Sequence, residues 1–594
     1  MKRLVIDFET KDPYIKRGLG SGWVYGINVP SSDFKVLGAA LLHYNGFSEY
    51  EVDMRKVAYY VDQHDVLVMH NAEYDFGCLL YLVHLGLLTR ESLRSKIVVD
   101  TVIMAKLYNN EMPSYHLNDL SKKFLGVSKE SDKLGECMAA LLPENNYPTK
   151  KLNQLAMENM DILQSTFPDV VASYAVKDAS NTLGLYLHFE AEASKDMWET
   201  ILKYSKLVTV CCFYREKGVR VDLKAARETQ EALTKKLETN LVDMHAYAGR
   251  DFNPNSSQQL SDIFRELGTM HPTTELGNPS ITKELINNLA SITTAHQPFF
   301  QLLNDYKKIY KILNSFIAPI LDVQAHTCPG AVDVGKVYPV FTVLGATRTG
   351  RMTCSTPNLQ QIPARDKELA PLCRRLFLPD EGELWYSIDY SNQEGRLQMH
   401  YASLLGCAGA DELCHLWQQD PLLDIHQKVA DMAGITRDQA KTVNLGLSYG
   451  MGIYKLANTL KVNLTQARDI QNKYKRMVPY LASLSQICQY VMETRQKLKT
   501  LGGRFLQNEP SKEYKALNKL IQGSAADQLY MAMLDAHEAG LNIKLPIHDQ
   551  LCVSGTAEDA YKLAKIMDTG FKLNVPVVVD FVDSGGASWG AAGH

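Results

Sequence analysis

The pattern of apolar and polar positions sorts this chain into stretches of distinct character. Leu4-Val-Ile-Asp7-Phe-Glu9-Thr10 is a β-branched run that predicts a strand, and its alternation puts Asp7 and Glu9 on one face. Val66-Leu-Val-Met-His70 predicts a second strand, and Asn71-Ala-Glu-Tyr-Asp75 after it opens a helix with Asn71 and Asp75 one turn apart. Tyr174-Ala-Val-Lys-Asp178 has helical period, which sets the Tyr174 hydroxyl beside Asp178. Residues 200 to 335 read as long helices, with a loop over Phe252–Leu260 leading into one of them. Thr347 to Pro363 is polar and rich in donors, with little helical or strand period. Leu384-Trp-Tyr-Ser-Ile-Asp389 predicts a strand that delivers Asp389 at its end and turns into a helix. Arg437, Lys441, Leu445 and Ser448/Tyr449 recur at helical spacing and share one side of a helix. Leu545-Pro-Ile-His548-Asp549-Gln550-Leu-Cys-Val553 predicts a hairpin with Asp549 at its turn.

At 594 residues the chain is too long for one core and suggests three or four units. With 45% hydrophobic and 22% charged residues it has the make-up of a soluble globular protein. No apolar run approaches the roughly 18 residues that a membrane span needs, and the opening Met-Lys-Arg-Leu-Val-Ile-Asp shows no signal or transit peptide. Eleven scattered cysteines without a CxxC pair predict reduced thiols in a cytosol-like compartment, with neither disulfides nor a zinc site. The net charge of −4 does not suggest a nucleic-acid binder. Its distribution changes that picture slightly: residues 1–200 carry a net −7 and the remainder +3, an acidic part followed by a mildly basic one.

Candidate chemistry follows from these placements. Two carboxylates as close as Asp7 and Glu9 are unfavourable unless a positive group lies between them, and hard divalent cations prefer oxygen ligands. Each of these features has an ordinary alternative, since DxE is common and Asn71 could simply cap a helix. In order, however, DxE, NxxxD and YxxxD resemble the DEDD exonuclease superfamily in its Tyr-containing branch, over residues 1–195. That resemblance implies an RNase H-like 3′–5′ exonuclease domain with two divalent metals held by Asp7, Glu9, Asp75 and Asp178, and a water oriented by Tyr174.

In the second part, two cations one turn apart, Arg437 and Lys441, suit a polyphosphate, and the Leu and Tyr further along suit a base and sugar. A solvated helix face is the ordinary alternative. Tyr306-Lys-Lys-Ile-Tyr-Lys311 interleaves cations with rings as a duplex backbone would require, and the 347–363 segment could donate to minor-groove acceptors. Asp389 and Asp549, each flanked by apolar residues, would be costly to bury unpaired. A shared pair of magnesium ions resolves that cost and suits nucleotidyl transfer.

Together these stretches resemble the family A DNA polymerases, collinearly from about residue 200 to the C-terminus. Asp389-Tyr-Ser-x-x-Glu394, Arg437-x-x-x-Lys441 through Tyr449-Gly450, and His548-Asp549 are similar to the family's motifs A, B and C. Thr-Gly-Arg351, Asn518-x-x-x-Gln522-Gly and Asp424-Ile-His426 fit its supporting motifs. The resemblance implies an α/β chain in which the exonuclease domain (1–195) precedes a right-hand polymerase (196–594). Within it the thumb spans about 200–335, the palm about 336–405 and 510–594, and the fingers about 406–509, with an antiparallel palm sheet from 384–389 and 543–553. It implies metal ligation by Asp389, Asp549 and Tyr390, and triphosphate binding by His426, Arg437 and Lys441, with Lys441 as the acid for pyrophosphate. Gln393, Leu445 and Tyr449 join the nucleotide site, and Glu394, packed near Tyr449, excludes a 2′-hydroxyl. Arg351, Asn518, Gln522 and His548 contact the duplex, and Arg504 is a weaker candidate for its backbone.

The chain departs from the family at Gln550, where Glu is usual, and at Leu445, where an aromatic ring is usual. Poor incorporation of dideoxynucleotides is the expected result of Leu445, reversed by Leu445→Tyr. There is no room for a 5′-nuclease domain before Asp7, which suggests a phage or organelle replication enzyme more than a bacterial repair enzyme, and the thumb is too short for the large processivity insertion of some phage relatives. The expected function is primer extension with dNTPs by two-metal transfer, with 3′–5′ proofreading, in replication or repair. A single-subunit RNA polymerase, disfavoured by the bulk of Glu394, and a polymerase-fold DNA-binding scaffold are the alternatives. Expected cofactors are two Mg2+ in each site, with Mn2+ as a substitute. Expected partners are primer–template DNA, dNTPs and replisome proteins such as a helicase and a single-strand-binding protein. A monomer without membrane attachment is expected, in the cytoplasm (of the host if phage-encoded) with an organelle as the alternative.

Overall fold

The alternation at Leu4–Thr10 becomes strand β1 (Arg3–Lys11) in a five-stranded sheet of order β3-β2-β1-β4-β5. The structure is a computed structural model. It describes all residues except 45, 128–130, 143–146, 275, 293, 328–332, 364–365 and 594, and all side chains of the described residues except those of 131–132, 323–327 and 445. β1 runs antiparallel to β2 (Lys35–His43), which carries β3 (Ser48–Glu51), and parallel to β4 (Val66–Met69), which carries β5 (Ile97–Asp100). Helices close both faces of this sheet, so Leu4, Val5 and Ile6 are all buried, as an interior strand requires. Helix Ala72–His84 leaves β4 through Asn71, whose φ of 64° lies in the left-handed region that Asn tolerates. Helix Pro168–Glu192 crosses the sheet and brings Tyr174 and Asp178 over β1.

Helix Lys195–Lys217 is buried along most of its second half and leads into β6 (Val219–Asp222). β6 pairs with β7 (Val334–Val337) and β10 (Phe377–Leu378). The sequence pattern reads this region as helical throughout; the strand escapes notice because only four residues alternate, between helices of 23 and 26 residues. The distal helical unit has a core of its own around Phe252, Phe264, Phe299 and Phe300.

The polar stretch after residue 347 is also more regular than expected. β8 (Val340–Ala346) and β9 (Arg351–Ser355) form a hairpin. Phe341, Val343, Met352 and Cys354 are buried on one face, whereas Thr342 and Thr353 stand opposite each other and exposed on the other. Two apolar residues per strand give too little alternation to be recognised in the sequence.

The last sheet has the order β14-β15-β11-β16, with β11 (Leu384–Tyr390) between β15 (Gln550–Gly555) and the two-residue β16 (Val579–Asp580). A short hairpin, β12 (Lys497–Lys499) and β13 (Phe505–Gln507), lies between the helical insertion and the helix that supports this sheet. β14 (Ile543–Ile547) and β15 are the expected hairpin, and the sheet is the antiparallel one expected from 384–389 and 543–553. Helix Ala516–Glu538 is apolar nearly all round and correspondingly buried. Helices between residues 410 and 495 pack as a separate unit on it, around Trp417, Tyr474 and Leu484. Below them one apolar cluster runs without a break from Leu4 of the first sheet to Ala592, through helix Lys195–Lys217. The ten described cysteines are free, and among the described residues no helix is long and apolar enough to cross a membrane.

Candidate active sites

A cleft of about 430 Å³ opens where β11 ends. Asp389 closes that strand, and Asp549 sits in the two-residue turn between β14 and β15, next to His548 with a φ of 53°. The Tyr390 amide donates to the Asp549 carbonyl at 3.1 Å, which ties the turn to the strand end. β16 adds Asp580 directly across from Asp389. Burial, then the charges of Asp549 and Asp580, push the Asp389 carboxyl up to about 7, with Lys441 pulling the other way. Its Oδ1 is buried without a hydrogen-bond partner. An orphaned, electron-rich oxygen among hard carboxylate donors fits a divalent cation. Among the described residues no three His, Cys, Asp or Glu side chains close around a common point. Mg2+ does not require such a cage, because one or two carboxylates with substrate phosphates and water complete its octahedron.

The far side of the cleft is basic. Helix Arg437–Ser448 starts with a capping box made by Thr436 and Gln439, and it points Arg437 and Lys441 into the space. Arg437 Nε donates to Asp424 Oδ2 at 2.6 Å. The other oxygen of Asp424 caps helix Ile425–Ala433 by accepting from the amides of His426 and Gln427. Burial opposes ionisation of Asp424, yet Arg437 and the two amides hold its pKa below the usual carboxylate range. The ring of His426 pairs with Asn444 at 2.6 Å, and burial lowers its pKa. Glu394 accepts from the Tyr449 hydroxyl and, at 2.8 Å, from Arg351 Nη2. Burial, followed by the Glu394 charge, raises the Tyr449 pKa.

The remaining sequence candidates are placed as follows. His548 and Tyr390 line the cleft, Tyr390 with its ring buried. Asn518 and Gln522 are half-buried, one turn apart, on the otherwise buried helix Ala516–Glu538. Gln393 lines the cleft, but its amide nitrogen is spent on the Ala525 carbonyl and on Gln528. Arg504 is a correction. It is 3% exposed, bonded to Asp527 at 2.6 Å, to Tyr204 and to the carbonyls of Thr349 and Gly523, so it braces the interior and does not reach a DNA backbone. The side chain of Leu445 lies outside the described residues. Asp580 and Asn444 are not among the sequence candidates, and Asp424 enters there only as part of the motif around His426. Asp580 does carry a signal, since Val575-Pro-Val-Val-Val-Asp580 is an apolar run ending in a carboxylate, as Leu4–Asp7 is.

A second cleft, of about 750 Å³, lies over β1. Asp7, Asp75 and Asp178 line it, and Glu9 is buried two residues along the strand. Asp75 Oδ1 accepts from the Phe8 amide at 3.0 Å, which locks helix Ala72–His84 against β1. Burial and then the Asp7 charge drive the Asp75 carboxyl well above the usual range. Tyr174 is buried, and burial, then the charges of Asp178, Glu9 and Asp7, raise its hydroxyl. Four carboxylates and a phenol from three separate elements thus press on one another, which cation binding would relieve. Asp100, not among the sequence candidates, accepts from the amides of Asn71 and Ala72 and fixes the strained turn between β4 and the helix.

A palm-like antiparallel sheet presenting two carboxylates, faced by a helix presenting two cations to the same cleft, defines a right-hand nucleotidyltransferase. Residues 223–591 match the family model described as DNA polymerase family A, and the chain belongs to that family. It is 29% identical to a DNA-directed DNA polymerase of Pseudomonas phage M6, over 71% of this chain and 70% of that one. It is 28% identical to DNA polymerase DpoZ of Vibrio phage phiVC8, over 89% of this chain and 87% of that one. Its fold superposes on the polymerase domain of Pol1 from M. smegmatis, solved with DNA primer-template and dNTP, with a TM-score of 0.74 at 21% identity, covering 95% of this chain and 94% of that one. The chain is accordingly a DNA-directed DNA polymerase, of a family that works with metal ions.

Proposed function

We propose that the 430 Å³ cleft extends the 3′ end of a primer with deoxynucleotides, and that the cleft over β1 removes 3′ nucleotides. Convergence of Asp389 and Asp549 opposite Arg437 and Lys441 carries the first reading. In this reading residues 1–195 are the exonuclease, and 196–594 the polymerase with thumb (about 200–335), palm (about 336–405 and 510–594) and fingers (about 406–509). Asp389 and Asp549, with Tyr390, would hold Mg2+, which when bound acidifies the primer hydroxyl and neutralises the triphosphate. Arg437, Lys441 and His426 hold the triphosphate, and Lys441 hands a proton to the departing pyrophosphate. To do so Arg437 exchanges Asp424 for phosphate. Glu394, fixed by Tyr449 and Arg351, occupies the space a 2′-hydroxyl would need. Gln393 and Leu445 complete the nucleotide site. Asn518, Gln522, His548 and Arg351 would touch the duplex near the primer end.

For the second cleft the supporting observation is the mutual charge pressure among Asp7, Glu9, Asp75, Asp178 and Tyr174. These carboxylates would hold Mg2+, with Mn2+ as a substitute, and Tyr174 would orient a water. Primer–template DNA and dNTPs are the substrates, replisome proteins are further partners, and the phage relatives point to work in the host cytoplasm. Primer extension in Mg2+, with and without dNTPs, tests both readings at once. Asp389→Ala should lose extension and keep 3′ degradation, and Asp7→Ala should do the reverse, each loss being about 10³-fold or more. Joint loss in either variant would contradict two separate sites.

A further inference from the structure

A third concavity, of about 530 Å³, lies where three elements meet: helix Arg90–Ser95 with the start of β5, helix Lys195–Lys217, and the end of helix Ala516–Glu538. None of its lining residues lines the 430 Å³ cleft or the cleft over β1. Its floor is apolar. Phe76, Leu93, Val210 and Phe213 are buried there, and the ring of His537 stacks on Phe213. Its rim is cationic: Arg94, Lys96, Lys203 and Lys206 line it together with one carboxylate, Glu538. In a chain with 67 acidic and 63 basic residues, that is a local reversal of sign.

The rim cations are largely unspent. Among the described residues Arg94 and Lys203 have no carboxylate partner, and both are exposed; Arg94 lies over the Phe213 ring. Lys96 Nζ donates to the Asp62 carbonyl at 3.0 Å. Lys206 pairs with Glu538, but their side chains are 50% and 61% exposed. A pair so open to water is weak, so Glu538 yields to a carboxylate that is better anchored. Floor and rim together separate the ligand classes. A nucleic acid would use the cations and leave the floor empty, because base stacking needs an open ring face and Phe76 and Phe213 are only 1% and 6% exposed. A flat apolar surface would not enter a concave mouth ringed by charge. An acidic peptide satisfies both parts, with carboxylates for the rim and one large apolar side chain for the floor.

We propose that this pocket is a docking site for an acidic peptide segment of a partner protein. One apolar side chain of the segment enters the floor, and its flanking carboxylates meet Arg94, Lys203 and Lys206. The segment so bound touches both halves of the chain at once, since helix Arg90–Ser95 and β5 belong to the first sheet and helix Ala516–Glu538 supports the last. The test uses the full chain and fluorescence anisotropy of a labelled synthetic peptide, one phenylalanine between two pairs of aspartates. A second peptide carries serine in place of the phenylalanine. The variant is Arg94→Glu with Lys203→Glu, two exposed positions outside both clefts, with primer extension on the same preparations as the check on folding. The parent should bind the phenylalanine peptide, and the double variant should bind it about tenfold or more weakly, because each reversal turns an attraction into a repulsion. The serine peptide should bind the parent about tenfold more weakly, from the lost burial of one ring. If the double variant fails in extension, Lys203→Glu alone decides, with an expected weakening of about threefold. Parental affinity in the variants overturns the site, as does equal binding of the two peptides, which would show charge attraction without a pocket. No binding by the parent at about 1 mM peptide also overturns it. A single-stranded oligonucleotide whose own affinity falls about tenfold in the double variant would make the pocket a nucleic-acid site instead.

Discussion

At Glu394 one carboxylate accepts from both Tyr449 and Arg351, so its position is set by two neighbours rather than by its own rotamer preference. A side chain held this firmly can reject a substrate group by steric conflict, because moving aside would break two hydrogen bonds in a part-buried setting. Replacing Glu394 by Ala should raise ribonucleotide incorporation relative to deoxynucleotide by roughly 10- to 100-fold. Competition between rNTP and dNTP opposite one template base reads this directly, and an unchanged ratio would remove Glu394 from sugar selection. Asp527 shows the opposite use of a carboxylate. It is fully buried, accepts from Arg504, Tyr204 and the Gly502 amide, and ties the β12–β13 turn and helix Lys195–Lys217 to helix Ala516–Glu538. Asp527→Ala leaves the Arg504 guanidinium uncompensated and should cost about 3–5 kcal/mol, seen as a lower denaturant midpoint. A loss below about 1 kcal/mol would mean that water reaches Arg504.

Among the elements, helix Ile425–Ala433 is capped by the same Asp424 that occupies Arg437. Asn is as good a cap as Asp but carries no charge. Asp424→Asn should therefore keep the helix and release Arg437 for the triphosphate, lowering the dNTP KM about two- to fivefold with kcat near parental. A raised KM in steady-state kinetics would show that Asp424 orients Arg437 instead of occupying it. The elements also explain which parts of the molecule could be read from sequence. β1, β11 and the β14–β15 hairpin announce themselves because each is an apolar run that stops at a carboxylate, and helix Arg437–Ser448 because its positions keep one helical period. β16 is two residues long, and its importance lies in a ladder position opposite Asp389 that only tertiary pairing creates. Arg504 differs from its expected place at the duplex backbone for a similar reason: its partner Tyr204 lies 300 residues away in the chain, a pairing that only the tertiary fold creates.

Across the whole molecule, the junction of the two halves contains a titratable group. His537, near the end of helix Ala516–Glu538, stacks on Phe213 with ring centroids 5.2 Å apart. Burial, then the charges of Arg94, Lys206 and Lys217, lower its pKa to about 4. The unfolded chain binds that proton near 6.5 and the folded one near 4, so the neutral ring's contribution is present above about 6.5 and lost as pH falls to about 4. His537→Leu should flatten the decline of the thermal midpoint over that window by the equivalent of about 1 kcal/mol, after discounting for solvent screening. An unaltered slope would place the acid sensitivity elsewhere. The apolar cluster that passes beneath both clefts has a consequence for how such an enzyme ages and fails. The two clefts sit on one piece of continuous packing, so heat or damage that melts the floor of one removes the floor of the other. On the proposed reading of the second cleft as a proofreading site, an ageing population of these molecules loses working copies rather than accumulating careless ones.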